Sequence, residues 1–300
     1  MALDSAAGRG AAGNIYDLGY RRYEGAREGR SHAIAALFVY SFRAVFGFGR
    51  STASKIFPIG LAVIALVPAA IRLGIAAIAP ANLDTARPEQ YFVLIQIILT
   101  LFCAVVAPEI IGRDQRNHVL PLYFSRALSR FDYVAAKAFA LTAGLFLVCL
   151  LPQVLLLAGQ AVAAVDLGDY LKHHLDDLAP IVASCALVAT VMASMSLAIA
   201  SQTPRRALAT GAVLAFFVIF GALGGIIVGT TTGDVRTYSV ILSPFDVLQG
   251  AVYWIFSASP PADSPVGTAG TSLALLFAVS VGFAVVALVI LFRRYQRMAV

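Results

Sequence analysis

Six long apolar stretches limit this chain to one kind of fold. Each holds about 20 residues or more, which is the length an α-helix needs to cross the roughly 30 Å hydrocarbon core of a bilayer. Sixty per cent of the 300 residues are hydrophobic and 13% are charged, against about 45–50% and about 25% in ordinary soluble domains. We therefore predict an all-α membrane protein, with an N-terminal segment at 1–55 and one transmembrane domain at 56–300. The six predicted spans are 56–79, 91–111, 133–165, 179–200, 207–229 and 271–292.

The positive charges concentrate on one side of this arrangement. They fall in the N-terminal segment, in the polar insert between the second and third spans (the insert, 108–130), in the short loop after the fourth span and in the C-terminal tail. Lys and Arg are enriched in the cytoplasmic loops of membrane proteins. We therefore expect both termini and the insert to be cytoplasmic. The opposite side holds Arg87, Lys172 and Arg236 against nine acids, namely Asp84, Glu89, Asp166, Asp169, Asp176, Asp177, Asp234, Asp246 and Asp263.

Residues 32–50 precede the first span and read HAIAALFVYSFRAVFGFGR. The stretch is short for a crossing and contains Arg43 and Arg50, a pattern that favours a helix lying in the membrane interface. A seventh span is the alternative, and it would place the N-terminus on the other side. Upstream, tyrosines and arginines at 14–30 suit attraction to anionic lipid or the docking of another protein.

A long external segment, 230–270, separates the fifth and sixth spans. Its middle part at 238–257 is apolar but is interrupted by Ser243-Pro244 and Asp246. Irregular backbone at membrane depth is tolerated only where protein or water covers it. We therefore predict a short re-entrant segment before the sixth span rather than a further crossing.

Small residues mark the fourth and fifth spans. The fifth carries Gly221, Gly225 and Gly229 at four-residue spacing, and small residues allow helix backbones to approach closely. The pattern predicts close helix packing, either within the chain or between two copies.

Arg72 and Glu109 are charged residues that lie inside the first predicted span and near the end of the second. A charge at the bilayer centre costs about 2.5–3.5 kcal/mol on insertion scales. Arg72 is a candidate for a substrate path, where it would bind an anionic or polar group; the simpler interpretation is an arginine that reaches water or pairs with Asp84. Glu109 is expected to orient the insert through an i+4 pair with Arg113.

The sequence offers little support for catalysis by this chain. Nothing in it matches the phosphate-binding pattern GxxxxGK[ST], so we do not expect this chain to bind and hydrolyse ATP by itself. An intramembrane serine–histidine protease would need a base within a span, and every histidine lies outside the spans. The histidines are His32, His118, His173 and His174.

No metal site, disulfide framework or nucleic-acid partner is predicted either. The adjacent His173 and His174 lack a diagnostic ligand spacing, and the three cysteines fall inside apolar stretches. One candidate function is that of a secondary transporter, which would not need ATP. Such transporters commonly contain paired repeats, and the two halves of this chain share no obvious repeat.

The insert carries the most informative local sequence. Pro108-Glu109, Arg113-Asp114 and Leu120-Pro121-Leu122 are followed by the stretch at 125–130, and then by Tyr133 and Lys137. Together with the order of interfacial helix, two spans, insert, three spans, re-entrant segment and final span, these residues resemble the type-2 ABC exporter permeases. The opening IYDLGYRRYEG at 15–25 is similar to that of a bacterial subgroup. Ala127 departs from the pattern, because many relatives have proline there.

The resemblance implies a permease subunit of an ATP-driven exporter in the bacterial inner membrane. ATP and Mg²⁺ would bind to a separate cytosolic ABC ATPase, and no cofactor would bind to this chain. A second permease, either an identical copy or a related chain, would complete the substrate path within membrane lipid. The insert would contain the coupling helix that docks on the ATPase, flanked and oriented by Glu109, Arg126 and Arg130. The implied contact residues are Gly112, Arg113, Asp114, Arg116, Asn117, Leu120, Leu122 and Tyr123.

Overall fold

The structure is a computed structural model that describes residues 29–49, 52–78, 87–125, 128–163 and 175–297. All regular elements in these ranges are helical. Three single-turn 3₁₀ helices lie at Pro88–Gln90, Leu175–Asp177 and Val240–Leu242. The α-helices are α1 Arg30–Val45, α2 Thr52–Ile78, α3 Tyr91–Arg116, α4 Leu120–Phe124, α5 Arg130–Ala163, α6 Leu178–Ala200, α7 Arg206–Thr230, α8 Gly233–Ser239, α9 Pro244–Ile255, α10 Pro265–Ala269 and α11 Leu273–Arg297.

Six of these helices are long and apolar enough to cross a membrane, which confirms the predicted number. They are α2, α3, α5, α6, α7 and α11, and each overlaps one predicted span. The main difference lies at the insert. There α3 continues past the predicted end at 111 as far as Arg116, and α5 already begins at Arg130. The connection between the second and third spans is therefore shorter than the sequence indicates, and more of the insert is helical.

Two of the six long helices form the centre of the bundle. α3 and α6 are the spans with the largest buried share, whereas α2, α7 and α11 expose most of their apolar surface. α3 packs between α2 and α7, and α6 packs against α5 and α11. The many alanines and serines of α6 permit these close approaches, because small side chains let neighbouring helix backbones come near.

The helix predicted before the first span is present as α1 and lies along α5. Arg30 at its start binds Asp132, and Val45 at its end lies against Gly144, where a Cβ atom would collide with the Val45 side chain. The two contacts are separated by twelve residues of α5, which is about 18 Å of helix. α1 is therefore fixed to the third span at both of its ends.

The segment between the fifth and sixth spans breaks at Ser243-Pro244, as the sequence predicts. The Ser243 hydroxyl accepts a hydrogen bond from the Asp246 amide (3.2 Å) and caps α9. α9 has twelve residues, so its length of about 18 Å is shorter than the roughly 30 Å hydrocarbon core. It is largely buried against α11 and α7.

The glycines of α7 divide into two groups. Gly221 lies against the Phe245 ring of α9, with no room for a Cβ atom. Gly225 and Gly229 have nothing within 4 Å of a Cβ position. Close packing within the chain therefore accounts for Gly221, whereas Gly225 and Gly229 lie on an open face of the helix.

Candidate functional site

The described part of the insert contains the end of α3, a tight reversal, the single turn of α4 and the start of α5. α3 ends because His118 adopts the left-handed conformation with φ 51°. The His118 amide donates to the Gln115 carbonyl (3.3 Å) and the Val119 amide donates to the Asp114 carbonyl (3.2 Å). This pair of bonds is the Schellman arrangement that commonly ends a helix, in which glycine usually takes the left-handed position. The reversal directs α4 back over the ends of the bundle helices.

A buried ion pair lies beneath the insert. The Lys137 ammonium is 2.8 Å from the Asp114 carboxylate, and it also donates to the Ile110 carbonyl at 3.2 Å. The Tyr133 hydroxyl donates to the same carboxylate oxygen at 2.8 Å. Lys137, Asp114 and Tyr133 are all buried. Buried charges need both pairing and hydrogen bonds, and this cluster supplies both by joining α3 to α5.

Aromatic rings fill the space between this ion pair and α4. The Tyr133 ring lies 5.6 Å from the Tyr123 ring and 5.9 Å from the Phe124 ring, and on its other side 5.4 Å from the Tyr295 ring of α11. Such separations are typical of favourable aromatic pairs. Burial raises the pKa of Tyr123 to about 12, so its hydroxyl is neutral at physiological pH. The short helix α4 thus rests on a ring of α5 that also contacts the last helix.

The start of α5 is capped by its own residues and by α1. The Ser129 hydroxyl accepts from the Asp132 amide (3.2 Å), while the Asp132 carboxylate accepts from the Ser129 amide (2.9 Å). This reciprocal pair is a capping box, with Asp in the place where Glu or Gln is usual. The Arg30 guanidinium forms two hydrogen bonds of 2.9 Å with the same carboxylate. The beginning of α1 is thereby tied to the residue that starts the third span.

Arg130 connects the end of the insert to the end of α11. Its Nη1 donates to the carbonyls of Tyr295 (3.3 Å) and Gln296 (2.5 Å). The guanidinium also lies 5.7 Å from the centre of the Phe124 ring. On the other side of the insert, the Gln115 amide donates to the Tyr295 hydroxyl at 2.9 Å. Both flanks of the insert therefore contact the same turn of α11.

Glu109 faces the turn between α6 and α7. Its carboxylate lies 3.8 Å from the Arg116 guanidinium and 3.5 Å from that of Arg206. Arg116 also donates to the Pro204 carbonyl at 3.4 Å. Arg206 reaches Glu109 because the α6–α7 turn brings it to the same side of α3, and the expected i+4 pair of Glu109 with Arg113 stays a prediction.

The implied contact residues differ in their exposure. Leu122 is 67% exposed, and Asn117, His118 and Pro121 are exposed beside it. Arg126 lies outside the described residues. The remaining implied residues fall into two groups, with Arg113, Arg116, Tyr123, Glu109 and Arg130 half-buried and Gly112, Asp114 and Leu120 buried. We define the exposed patch of Asn117, His118, Pro121 and Leu122 as the insert surface.

Arg72 is remote from the insert. It lies in the part of α2 opposite to that end, half-buried, with Tyr91 and Glu89 as its electrostatic neighbours. Its Nη1 atom is buried and has no hydrogen-bond partner among the described residues. Its proposed alternative partner Asp84 lies outside those residues.

Several residues of the site have no signal in the sequence. Gln115, Arg206 and Tyr295 are ordinary polar residues at the ends of long helices, and only the fold brings them to the insert. Lys137 stands out as a cation in an apolar helix, but the residue that balances its charge is not evident from local spacing. The described residues contain no group of three or more metal-ligating side chains, and His173 and His174 lie outside them.

Comparison with known proteins gives one family. A family model described as "ABC-2 family transporter protein" matches residues 69–300, which covers the bundle from the middle of α2 onwards, including the insert. A search of curated proteins gives no match.

Proposed function

This chain belongs to the ABC-2 family of transporter permeases, and we propose that it is the permease subunit of an exporter driven by a separate ATPase that docks on the insert. The family consists of transmembrane subunits that are not themselves catalytic. The observation that carries the proposal is the insert surface, an exposed patch around Leu122 that lies over a buried polar cluster joining three of the long helices.

The insert surface has the composition of a protein contact. Leu122 projects from α4 with 67% of its surface exposed. A residue of this kind gains energy when a partner covers it, because burial of a leucine side chain contributes about 1.5–3 kcal/mol. Asn117 and His118 beside it supply hydrogen-bonding groups. We propose that these residues touch the ATPase.

Other implied residues are assigned to the support of that surface. Asp114 is bound to Lys137 and Tyr133, and Leu120 is buried beneath α4. A partner could reach them only after the polar cluster had opened. We propose that Gly112, Asp114 and Leu120 hold the insert surface in place.

Positive charge surrounds the insert surface. Arg113 and Arg116 lie on the last turn of α3, and Arg205 and Arg206 lie on the neighbouring α6–α7 turn. Charge complementarity speeds association and selects partners. We propose that the docking groove of the ATPase carries acidic side chains around an apolar pocket.

The topology follows from the same charges. We propose that the insert, the α6–α7 turn and both termini are cytoplasmic, in the inner membrane of a bacterium. α1 would then lie at the cytoplasmic boundary of the membrane. α9 would be a re-entrant helix that enters from outside, because its twelve residues are too few to cross.

A second permease copy is part of the proposal. α2 and α7 lie on either side of α3 and expose long apolar faces, and Gly225 and Gly229 leave one face of α7 open. We propose that two copies meet along these helices around the substrate path. Arg72, at the outer part of α2, would then be available to an anionic or polar group of the cargo.

The test is purification of the complex from the native membrane. The wild-type permease is expected to co-purify with a protein that carries a GxxxxGK[ST] sequence and hydrolyses MgATP. Leu122→Asp should abolish this association. Val235→Asp is the matched control, because Val235 is 61% exposed on α8 at the other end of the bundle. Equal recovery of the ATPase with both variants would show that the docking assignment is wrong.

A further inference from the structure

The end of α11 is held by residues on both sides of the insert. Gln115, which precedes the reversal, donates to the Tyr295 hydroxyl, and Arg130, which follows α4, donates to the backbone carbonyls of Tyr295 and Gln296. The last four carbonyls of a helix have no partner within that helix. Arg130 supplies one, and its positive charge also suits the negative end of the helix dipole.

Tyr295 is part of the buried cluster although it lies 180 residues from Gln115. It is 1% exposed, and its ring lies against Tyr133, whose hydroxyl binds Asp114. The sixth span is thus connected to the insert by hydrogen bonds that are partly buried or exposed, and by the contact of the buried Tyr295 and Tyr133 rings. A displacement of the insert could leave α11 behind only by breaking them.

The fifth span is connected to the insert differently. It packs along α3, and one side-chain link to the insert is the pair between Glu109 and Arg206, whose side chain is 58% exposed. Exposed ion pairs contribute little, with a median of about 0–1 kcal/mol. The insert is therefore joined to α11 by hydrogen bonds from both of its flanks, and to α7 by a partly exposed ion pair and the packing of α3.

We propose that the insert and the inner end of α11 move as one unit, so that a force applied at the insert surface reaches the sixth span directly. Gln115, Arg130 and Tyr295 are then positioning residues, because they fix α11 to the insert without touching the ATPase. This inference rests on the proposed function, since it concerns how a docked ATPase moves the bundle.

The experiment uses the complex of the permease with its co-purified ATPase, reconstituted in lipid vesicles. A single cysteine is introduced at Ser272, which is exposed before α11, or at Thr232, which is exposed after α7. The native Cys103, Cys149 and Cys185 are buried, so they should give a low background. The readout is the maleimide labelling rate with and without MgATP.

Tyr295→Phe and Gln115→Leu each remove the same hydrogen bond and keep the local packing volume. In either variant, the MgATP-dependent change at Ser272→Cys should fall by about fivefold or more, the lower end of typical allosteric coupling. The change at Thr232→Cys should persist, as should ATPase binding and hydrolysis. The double variant should resemble each single variant, because both substitutions remove one shared interaction.

Three results would overturn the inference. The first is a normal response at Ser272→Cys in both single variants. The second is an equal loss of the MgATP-dependent change at Ser272→Cys and at Thr232→Cys. Tyr295 and Gln115 would then affect the whole complex rather than α11 alone. The third is a Ser272→Cys complex, otherwise wild type, that hydrolyses ATP without any MgATP-dependent change in its labelling rate. This result would leave the proposed function standing. Failure of any ATPase to co-purify with the wild type would instead remove the proposed function, and this inference with it.

Discussion

The Lys137 ammonium lies 2.8 Å from the Asp114 carboxylate, and both side chains are buried where the insert joins the second and third spans. Such a pair is expensive to desolvate, and well-packed apolar residues often replace it without loss of stability. Its presence therefore points to specificity, since it fixes how α3 and α5 meet beneath the insert.

The single variants Lys137→Met and Asp114→Leu should each lower the free energy of unfolding by about 3–5 kcal/mol, because each leaves one buried charge without its partner. The double variant should recover most of that loss. Reversible unfolding of the purified permease by SDS in detergent micelles measures all four proteins. A double variant that is as unstable as the sum of the singles would contradict the pairing.

Packing of α1 on α5 should depend on the absence of a side chain at position 144. Gly144→Ala places a methyl group against Val45, and overpacking of this kind typically costs about 1–3 kcal/mol. Adding Val45→Ala should restore part of the stability by making room. The same SDS titration measures this effect, with Gly282→Ala as a control because a Cβ there meets nothing within 4 Å.

The reversal after α3 should favour glycine at position 118. A non-glycine residue in the left-handed region costs about 1–2 kcal/mol, which a glycine would avoid. Part of that gain in stability is offset, because glycine loses more conformational entropy on folding. His118→Gly should therefore be neutral or more stable by up to about 1 kcal/mol. His118→Val should be clearly less stable, because β-branched residues fit this region poorly. A higher unfolding midpoint for the valine variant would show that the described reversal is wrong.

Labelling of intact cells tests the topology. A cysteine introduced at Leu122 should resist a membrane-impermeant maleimide until the membrane is opened, because the positive-inside rule predicts a cytoplasmic insert. A cysteine at Ser259, which is exposed in the segment between α9 and α10, should react from outside. Reaction of the Leu122→Cys variant in sealed cells would invert the proposed orientation.

The number of spans could be predicted because the bilayer imposes it. A run of about 20 apolar residues has few alternatives to a crossing helix, and each predicted run overlaps one long helix of the structure. The break at Ser243-Pro244 was also predictable, because serine favours the N-cap position and proline the first turn of a helix. These features depend on local composition alone.

The contacts of the insert were not predictable in the same way. Asp114 resembles a polar residue of an exposed loop, yet Lys137 reaches it only because α5 packs beside α3. Spacing predicts a pair of Glu109 with Arg113, whereas the pair of Glu109 with Arg206, 97 positions later in the chain, depends on the fold. Side-chain partners of this kind are set by tertiary packing, which leaves no trace in local spacing.

The five-residue length of α4 affects how mutagenesis of this protein should be interpreted. A helix of one turn is far below the length at which helices persist alone in water. Its conformation therefore depends on packing against Tyr133 and the residues around it. Weakened docking after a substitution at Tyr133 would therefore reflect a distorted insert surface rather than a missing contact. Only substitutions that leave the single turn intact, such as those at Leu122, report on the partner itself.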